Sequence, residues 1–375
     1  MTLPETTHAP SALQRLKLYM DRNERRVTVI SFASGFVFDI LTADRIDSWL
    51  LIGQQLAYLA IIIAILLQTF FAEGRQEPDP AGLPLMKRLY ADYHTVVVHF
   101  LLGSLLSLYT IFFFKSSSLF ASFGFLGILV VLLVANESRR FKALGLSIRF
   151  TLFALCLLSF SASVVPIAIG SIGTLVFMAS MLAACIPIGV IYRRIRIHAP
   201  ERQMQARRQI LVPFGVMLVL FLALYVLRLI PPVPLSIPFI GVYHNVERTE
   251  EHYLLSHERP FWRVWHNGDQ RFLAQPGDRV VVFFRIFSPA RFADQVTLRW
   301  YLKAGPRGWT LQDAIPINIV GGREHGFRGY GVKSNYQPGD WKLEVETTDG
   351  REIGRIYFTI ESAPESPRTF RTDVH

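Results

Sequence analysis

Basic side chains occupy every second gap between the apolar runs of this chain, and that alternation limits its possible folds more than any other feature. The runs are Val27–Leu41, Leu50–Phe71, Thr95–Phe114, Leu119–Ala135, Phe150–Ile169, Ile172–Tyr192 and Ile210–Ile230. Most reach the ~20 residues that the hydrocarbon core of a bilayer demands of a helix. They are too uniformly apolar to be barrel strands, which alternate, so helices are the way they satisfy their backbone in lipid. The N-terminal tail and alternate loops carry 18 Lys and Arg, whereas the three intervening loops carry only Arg45 and Lys115. Such a bias marks the cytoplasmic side of a multi-pass membrane protein. The N-terminus is therefore expected inside the cell, and the region from about residue 241 outside the cytoplasm.

Charge distribution also bears on partners. The net charge is +10. Residues 1–240 hold 21 basic and 12 acidic side chains, against 18 and 17 in residues 241–375. The excess thus lies on the membrane edges, where it meets lipid headgroups. No nucleic-acid recognition fold accompanies it. Both cysteines, Cys156 and Cys185, fall inside apolar runs, so the outer region must fold without a disulfide. No short apolar segment with a cleavage site follows the basic N-terminal 26 residues, and the first span is expected to stay as an anchor.

After Pro231-Pro232-Val233-Pro234 the apolar period changes from helical to two. Val296, Leu298, Trp300 and Leu302 share one face. Trp341, Leu343 and Val345 share another, as do Ile356, Phe358 and Ile360. These are half-buried strands. Asn267-Gly268 and Asp349-Gly350 suit hairpin turns, and Gln-Pro-Gly-Asp occurs before a strand at 275–278 and again at 337–340. The expected organisation is a basic cytoplasmic segment (1–26) and a helical transmembrane bundle of about seven spans (27–230). A Pro-rich connector (231–250), an all-β antiparallel sandwich of immunoglobulin-like type (251–362) and a disordered tail (363–375) complete it.

Trp300, Gly321-Gly322-Arg323, Pro338-Gly339-Asp340-Trp341, Asp349-Gly350 and Tyr357-Phe358 together resemble a bacterial family known as domain of unknown function 2914. The stretch Gly35-Phe36-Val37-Phe38-Asp39 with Thr42, Arg45 and Asp47 is similar to the multi-pass region that accompanies it in some bacteria. The resemblance implies a bacterial inner-membrane protein with a periplasmic β domain. It lends no reaction, catalytic residue or cofactor.

Several residues are candidates for chemistry. Asp39, Asp44, Arg45 and Asp47 cluster at the outer end of the first run. A carboxylate within hydrocarbon is costly unless paired, so Asp39 is either locked to Arg45 or part of a proton or ion path. Gln54 and Gln55 enter the second run, and such amides usually tie helices together. His94 and His99 start the third, and their five-residue spacing turns the imidazoles about 140° apart, against a shared metal. In the outer region, Gly321 to Gly331 carries Arg323, His325 and Arg328, with Lys333 nearby. It reads as an anion site for a lipid headgroup or glycan, or as a bulged hairpin whose glycines relieve crowding. Trp262 and Trp265 either stack on a sugar ring or the membrane interface, or fill the core. No catalytic or metal motif is present. The expectation is a non-enzymatic envelope protein whose β domain binds a ligand or periplasmic protein, with membrane lipids around its helices. The alternative is a transporter or lipid-modifying enzyme using Asp39, Asp44, Arg45 and Asp47 with Gln54 or His99.

Overall fold

The computed structural model describes residues 47–73, 85–116, 127–129, 131–132, 145–250, 252–263, 265–289, 292–305, 308–321 and 326–375. Among them are five helical stretches long and apolar enough to cross a membrane. The expected spans Val27–Leu41 and, in large part, Leu119–Ala135 lie outside the described residues. Five of the seven expected spans thus have a counterpart among the described residues.

Helix α1 (Trp49–Ala72) buries Ile52, Gln55, Leu59, Ile62, Leu66 and Phe70, one stripe at helical spacing. Helices α2 (Leu85–Lys115) and α3 (Leu146–Ile169) occupy the middle, with most of their span residues buried. Helix α4 (Thr174–His198) and the stretch Pro200–Val226, which ends in α5 (Val212–Val226), bury a third or fewer. Leu175, Leu182, Ile186, Val216 and Val219 stand exposed on these outer helices. Side chains of that kind facing outward are at home in lipid. At 1.5 Å per residue, 24 residues span about 36 Å, enough for the hydrocarbon with some tilt. Polar ties close the other end of the bundle. Arg202 donates to the Phe70 carbonyl at the end of α1 (2.8 Å), and Gln209 donates to Glu73 (3.1 Å).

Among the described residues eleven strands follow: β1 (Ser236–Tyr243), β2 (Asn245–Arg248), β3 (Tyr253–His257), β4 (Arg271–Ala274), β5 (Val280–Phe287), β6 (Ala293–Lys303), β7 (Trp309–Val320), β8 (Phe327–Lys333), β9 (Gly339–Thr347), β10 (Glu352–Ser362) and β11 (Arg371–Val374). They make sheets ordered β1-β5-β8, β4-β10-β9-β6-β7 and β11-β3-β2. The first two share one core. Val242, Val282, Phe284 and Ile286 come from one sheet; Val296, Leu298, Trp300, Leu343, Phe358 and Ile360 come from the other. The apolar positions expected in β6, β9 and β10 therefore line this core, although in β9 the intervening Lys342 and Glu344 are buried too.

Three expectations need correction. The β region starts at Ser236, not at 251, because Pro238 and Gly241 disguise β1 as connector; it is a sheet-edge strand with an irregularity between Ser236 and Phe239, where proline is tolerated. The sheets are not wholly antiparallel, since the edge strand β4 runs parallel to β10. Asn267-Gly268 closes no hairpin; it lies in the β3–β4 loop, where Gly268 at φ 67° bridges to Val242. A Cβ there would strike the Val242 carbonyl, so only glycine fits.

The tail departs further from expectation. It forms β11, paired antiparallel to β3 from Arg371–His257 to Val374–Leu254. Its apolar content is small, and its hold on the domain is polar. Arg368 reaches Asp278 (2.7 Å), the Leu273 carbonyl (2.8 Å) and Glu258 (3.6 Å). Asp373 meets His257 (3.2 Å) and Arg259 (3.5 Å).

Candidate functional site

Two places in the fold gather side chains whose arrangement goes beyond core packing. The first is the junction between helices and sheets. Helix α5 ends in a left-handed turn at Arg228 (φ 58°), a position glycine usually takes. The Leu229 amide bonds the Leu224 carbonyl (2.9 Å) and closes the helix. Arg228 in turn donates to Gly350 (3.4 Å) in the β9–β10 turn. Beside it, Arg351 is only 7% exposed. Its guanidinium lies 3.4 Å from the ring centre of Tyr225, which stacks on Phe177 of α4 at 3.8 Å. Asp349 accepts from the Arg351 Nε (3.1 Å) and from the Tyr225 hydroxyl (3.2 Å), and that hydroxyl is also 3.2 Å from Thr174. Burial pulls the Arg351 guanidinium down to about 9, so it is held there against a desolvation cost. The α3–α4 turn is gripped separately. The Ile172 amide donates to Asp294 (3.1 Å), and the Ala293 amide to the Gly170 carbonyl (3.2 Å). A cleft lined by Phe113, Pro166, Val176, Phe177, Tyr225 and Arg351 lies within this junction.

The second place is the face covered by the tail. His244, stacked on Phe272 at 4.0 Å, is ringed by Glu258 (3.5 Å), Asp269 (3.6 Å), Asp278 (3.9 Å) and Arg368 (3.4 Å). Burial and the Arg368 charge lower its pKa to about 4. Burial raises the Asp269 carboxyl to about 6, against the Glu258 amide it accepts. Next to this network, the β3–β4 loop displays Phe261 (73% exposed), Trp262 (52%) and Trp265 (66%). The two indoles lie 6.0 Å apart and tilted by 58°. Arg263 covers Trp262 (4.9 Å), and Arg371 of β11 covers Phe261 (5.5 Å).

The residues singled out in the sequence fare unevenly. Asp39, Asp44, Arg45, Arg323 and His325 lie outside the described residues. Asp47 sits half-exposed in the turn before α1. Gln54 bonds Tyr58 within its own helix (3.0 Å) rather than tying two helices, whereas Gln55 faces the core. His99 is buried on α2. Arg328 and Lys333 do not meet, because five residues along β8 put them on opposite faces. Lys333 is buried against Asp313 and Trp341, and Arg328 lies over Tyr253 (5.2 Å) and donates to the His375 carbonyl (3.2 Å). The β8 glycines serve packing: a Cβ on Gly329 would strike Phe284 and one on Gly331 would strike Leu298. The tryptophan pair is not core. Sequence reasoning missed Arg351, Asp349, Tyr225, Arg368 and Asp373. Asp349-Gly350 reads as a turn, but its partner Tyr225 is more than 100 residues away and no spacing announces it.

Together the helices and sheets define a class: a chain with a multi-helix apolar region and a β region docked on the α3–α4 turn and the end of α5. Residues 293–360 match the model of DUF2914, a protein family of unknown function. No curated protein matches. Among solved structures, an immunoglobulin-like protein from Pseudomonas aeruginosa is 12% identical over 34% of this chain and 98% of its own, with a TM-score of 0.22. A beta-glucosidase from Kluyveromyces marxianus is 9% identical over 33% of this chain and 14% of its own, TM-score 0.16. The alkylpurine DNA glycosylase AlkC of Pseudomonas fluorescens is 11% identical over 82% and 97%, TM-score 0.21. Likenesses this low carry no argument about function.

Proposed function

We propose that the protein is a non-catalytic binding protein of the bacterial inner membrane. Its immunoglobulin-like β region lies in the periplasm, where it takes a glycan or a protein partner through the Phe261–Trp265 loop. The carrying observation is that Phe261, Trp262 and Trp265 stand exposed together, whereas Trp300 and Trp341 of the same region are buried. A contiguous aromatic patch flanked by arginines is a recurrent contact surface for sugars and proteins. The basic loops beside the helices favour this orientation. The junction suits transmission: Arg351 is buried at a cost, so a ligand that shifts the β region can tip the contact with Tyr225 on α5 and Phe177 on α4.

The test is binding of the full chain in lipid nanodiscs to an array of envelope glycans and periplasmic proteins. Trp262→Ala with Trp265→Ala is expected to leave stability within about 0.5 kcal/mol, as surface changes do, and to cut binding at least fivefold. Unchanged binding by the double variant, or no binder for the parent chain, overturns the reading.

A further inference from the structure

We propose that β11 is exchanged between neighbouring copies of this chain, so that Arg371–Val374 of one copy pair with β3 of the next. The segment fits its edge through contacts any copy can supply. Four residue pairs join it to β3. The Tyr253 amide donates to the His375 carbonyl (2.6 Å) and the His375 amide to the Tyr253 carbonyl (3.0 Å). Two charged side chains act as keys. Arg368 enters between Asp278 and Glu258, and Asp373, five residues on, enters between His257 and Arg259. The His375 ring closes the row against Phe239 (4.1 Å) and Phe283 (5.9 Å).

The lead-in from β10 is built differently. Residues 363–367 contain Pro364 and Pro367 and touch the domain through Ala363 to Ala274 (2.8 Å) and Gln275 to Ser366 (3.1 Å). Cutting this lead loose forfeits little, and reseating the strand on an identical edge restores every key. Exchange of an identical element is a low-cost route to a dimer for that reason. Five extended residues reach about 17 Å, so the accepting β3 must belong to a copy whose β region lies alongside. Copies anchored in one membrane hold their β regions at one height, which meets that requirement. The inference does not depend on what the Phe261–Trp265 loop binds.

Cross-linking in membranes decides it. Ser256 and Thr372 face each other in the β3–β11 ladder. Tyr253 and His375 form the doubly bonded kind of pair three steps away, so Ser256–Thr372 is the closer, non-bonded kind, within disulfide reach. Chains carrying Ser256→Cys and chains carrying Thr372→Cys, with different tags, are co-expressed and mildly oxidised. A dimer containing both tags is expected, absent from either chain alone and from the parent chain with its Cys156 and Cys185. The doubly substituted chain is the control for strand pairing. If it closes within itself while the co-expressed pair stays monomeric, exchange is refuted. If neither product forms, the pairing and the proposal fall together. A synthetic peptide of residues 363–375 bearing the Thr372→Cys change is added to the Ser256→Cys chain. Capture of that peptide without any mixed-tag dimer would also refute a second copy as the occupant.

Discussion

Arg351→Ala is expected to loosen the β region from the helices by about 3 kcal/mol, the low end for removing one partner of a buried ion pair. The change takes the cation off the face of Tyr225 and leaves the Asp349 carboxylate with hydroxyl donors alone. Trypsin cutting after Arg228 reads the result, since Arg228 sits in the turn that the docked β9–β10 hairpin covers. At 1.4 kcal/mol per factor of ten, cleavage limited by opening should accelerate about a hundredfold. Arg351→Met with Asp349→Asn should recover part of the loss, because a neutral pair leaves no buried charge. A cutting rate within twofold of the parent chain would mean that the junction rests on its apolar contacts instead.

Acid should release the tail before it unfolds the sheets. The His375 imidazole is held below its ordinary pKa by burial, Arg285 and Arg328, with Asp373 opposing. His244 is lowered to about 4 by burial and the tail's own Arg368, with Asp278 opposing and His257 adding to the drop. A histidine lowered on docking favours the docked tail while it is neutral. That preference is intact above about 6.5 and is lost as pH falls toward 4. Glu258, Asp269 and Asp278 also face His244. Asp269 runs the other way: its carboxyl, raised to about 6, takes up a proton in the folded domain over the same window and supports it. His257 is pulled both ways, lowered by burial, Arg259 and Arg371 and raised by Asp373. The expected outcome is a ten- to hundredfold fall in protection of the Arg371, Asp373 and His375 amides, the ones that face β3, between pH 7.5 and 5, measured against β10 amides. His375→Phe should reduce the response to the part that His244 carries, by keeping the ring contact and removing one proton site. Parallel loss in β10 would show that the whole domain responds.

Much of this architecture was legible in the chain. A period of two in Val296, Leu298 and Trp300 can bury one face only as a strand, and the turns at Asp349-Gly350 and Gln275 to Asp278 stand where the strands stop. Local chemistry dictates such features. The clamp and the tail were not legible because they join distant residues through charge. Arg351 reads as a surface arginine until Tyr225 and Phe177 arrive beneath it, and 363–375 reads as disordered because polar contacts and a borrowed sheet edge, rather than apolar side chains, hold it. The Phe261–Trp265 loop shows a further limit. Aromatic residues are core or contact surface depending on neighbours that sequence does not place.

The grip at Gly170 and Ile172 has a mechanical consequence. The β region is linked to the helices by one stretch of chain, at α5, yet it also holds the α3–α4 turn through Ala293 and Asp294. A force on the β region is thus shared among three helices and becomes a torque on the bundle, whereas a single tether would convey only tension.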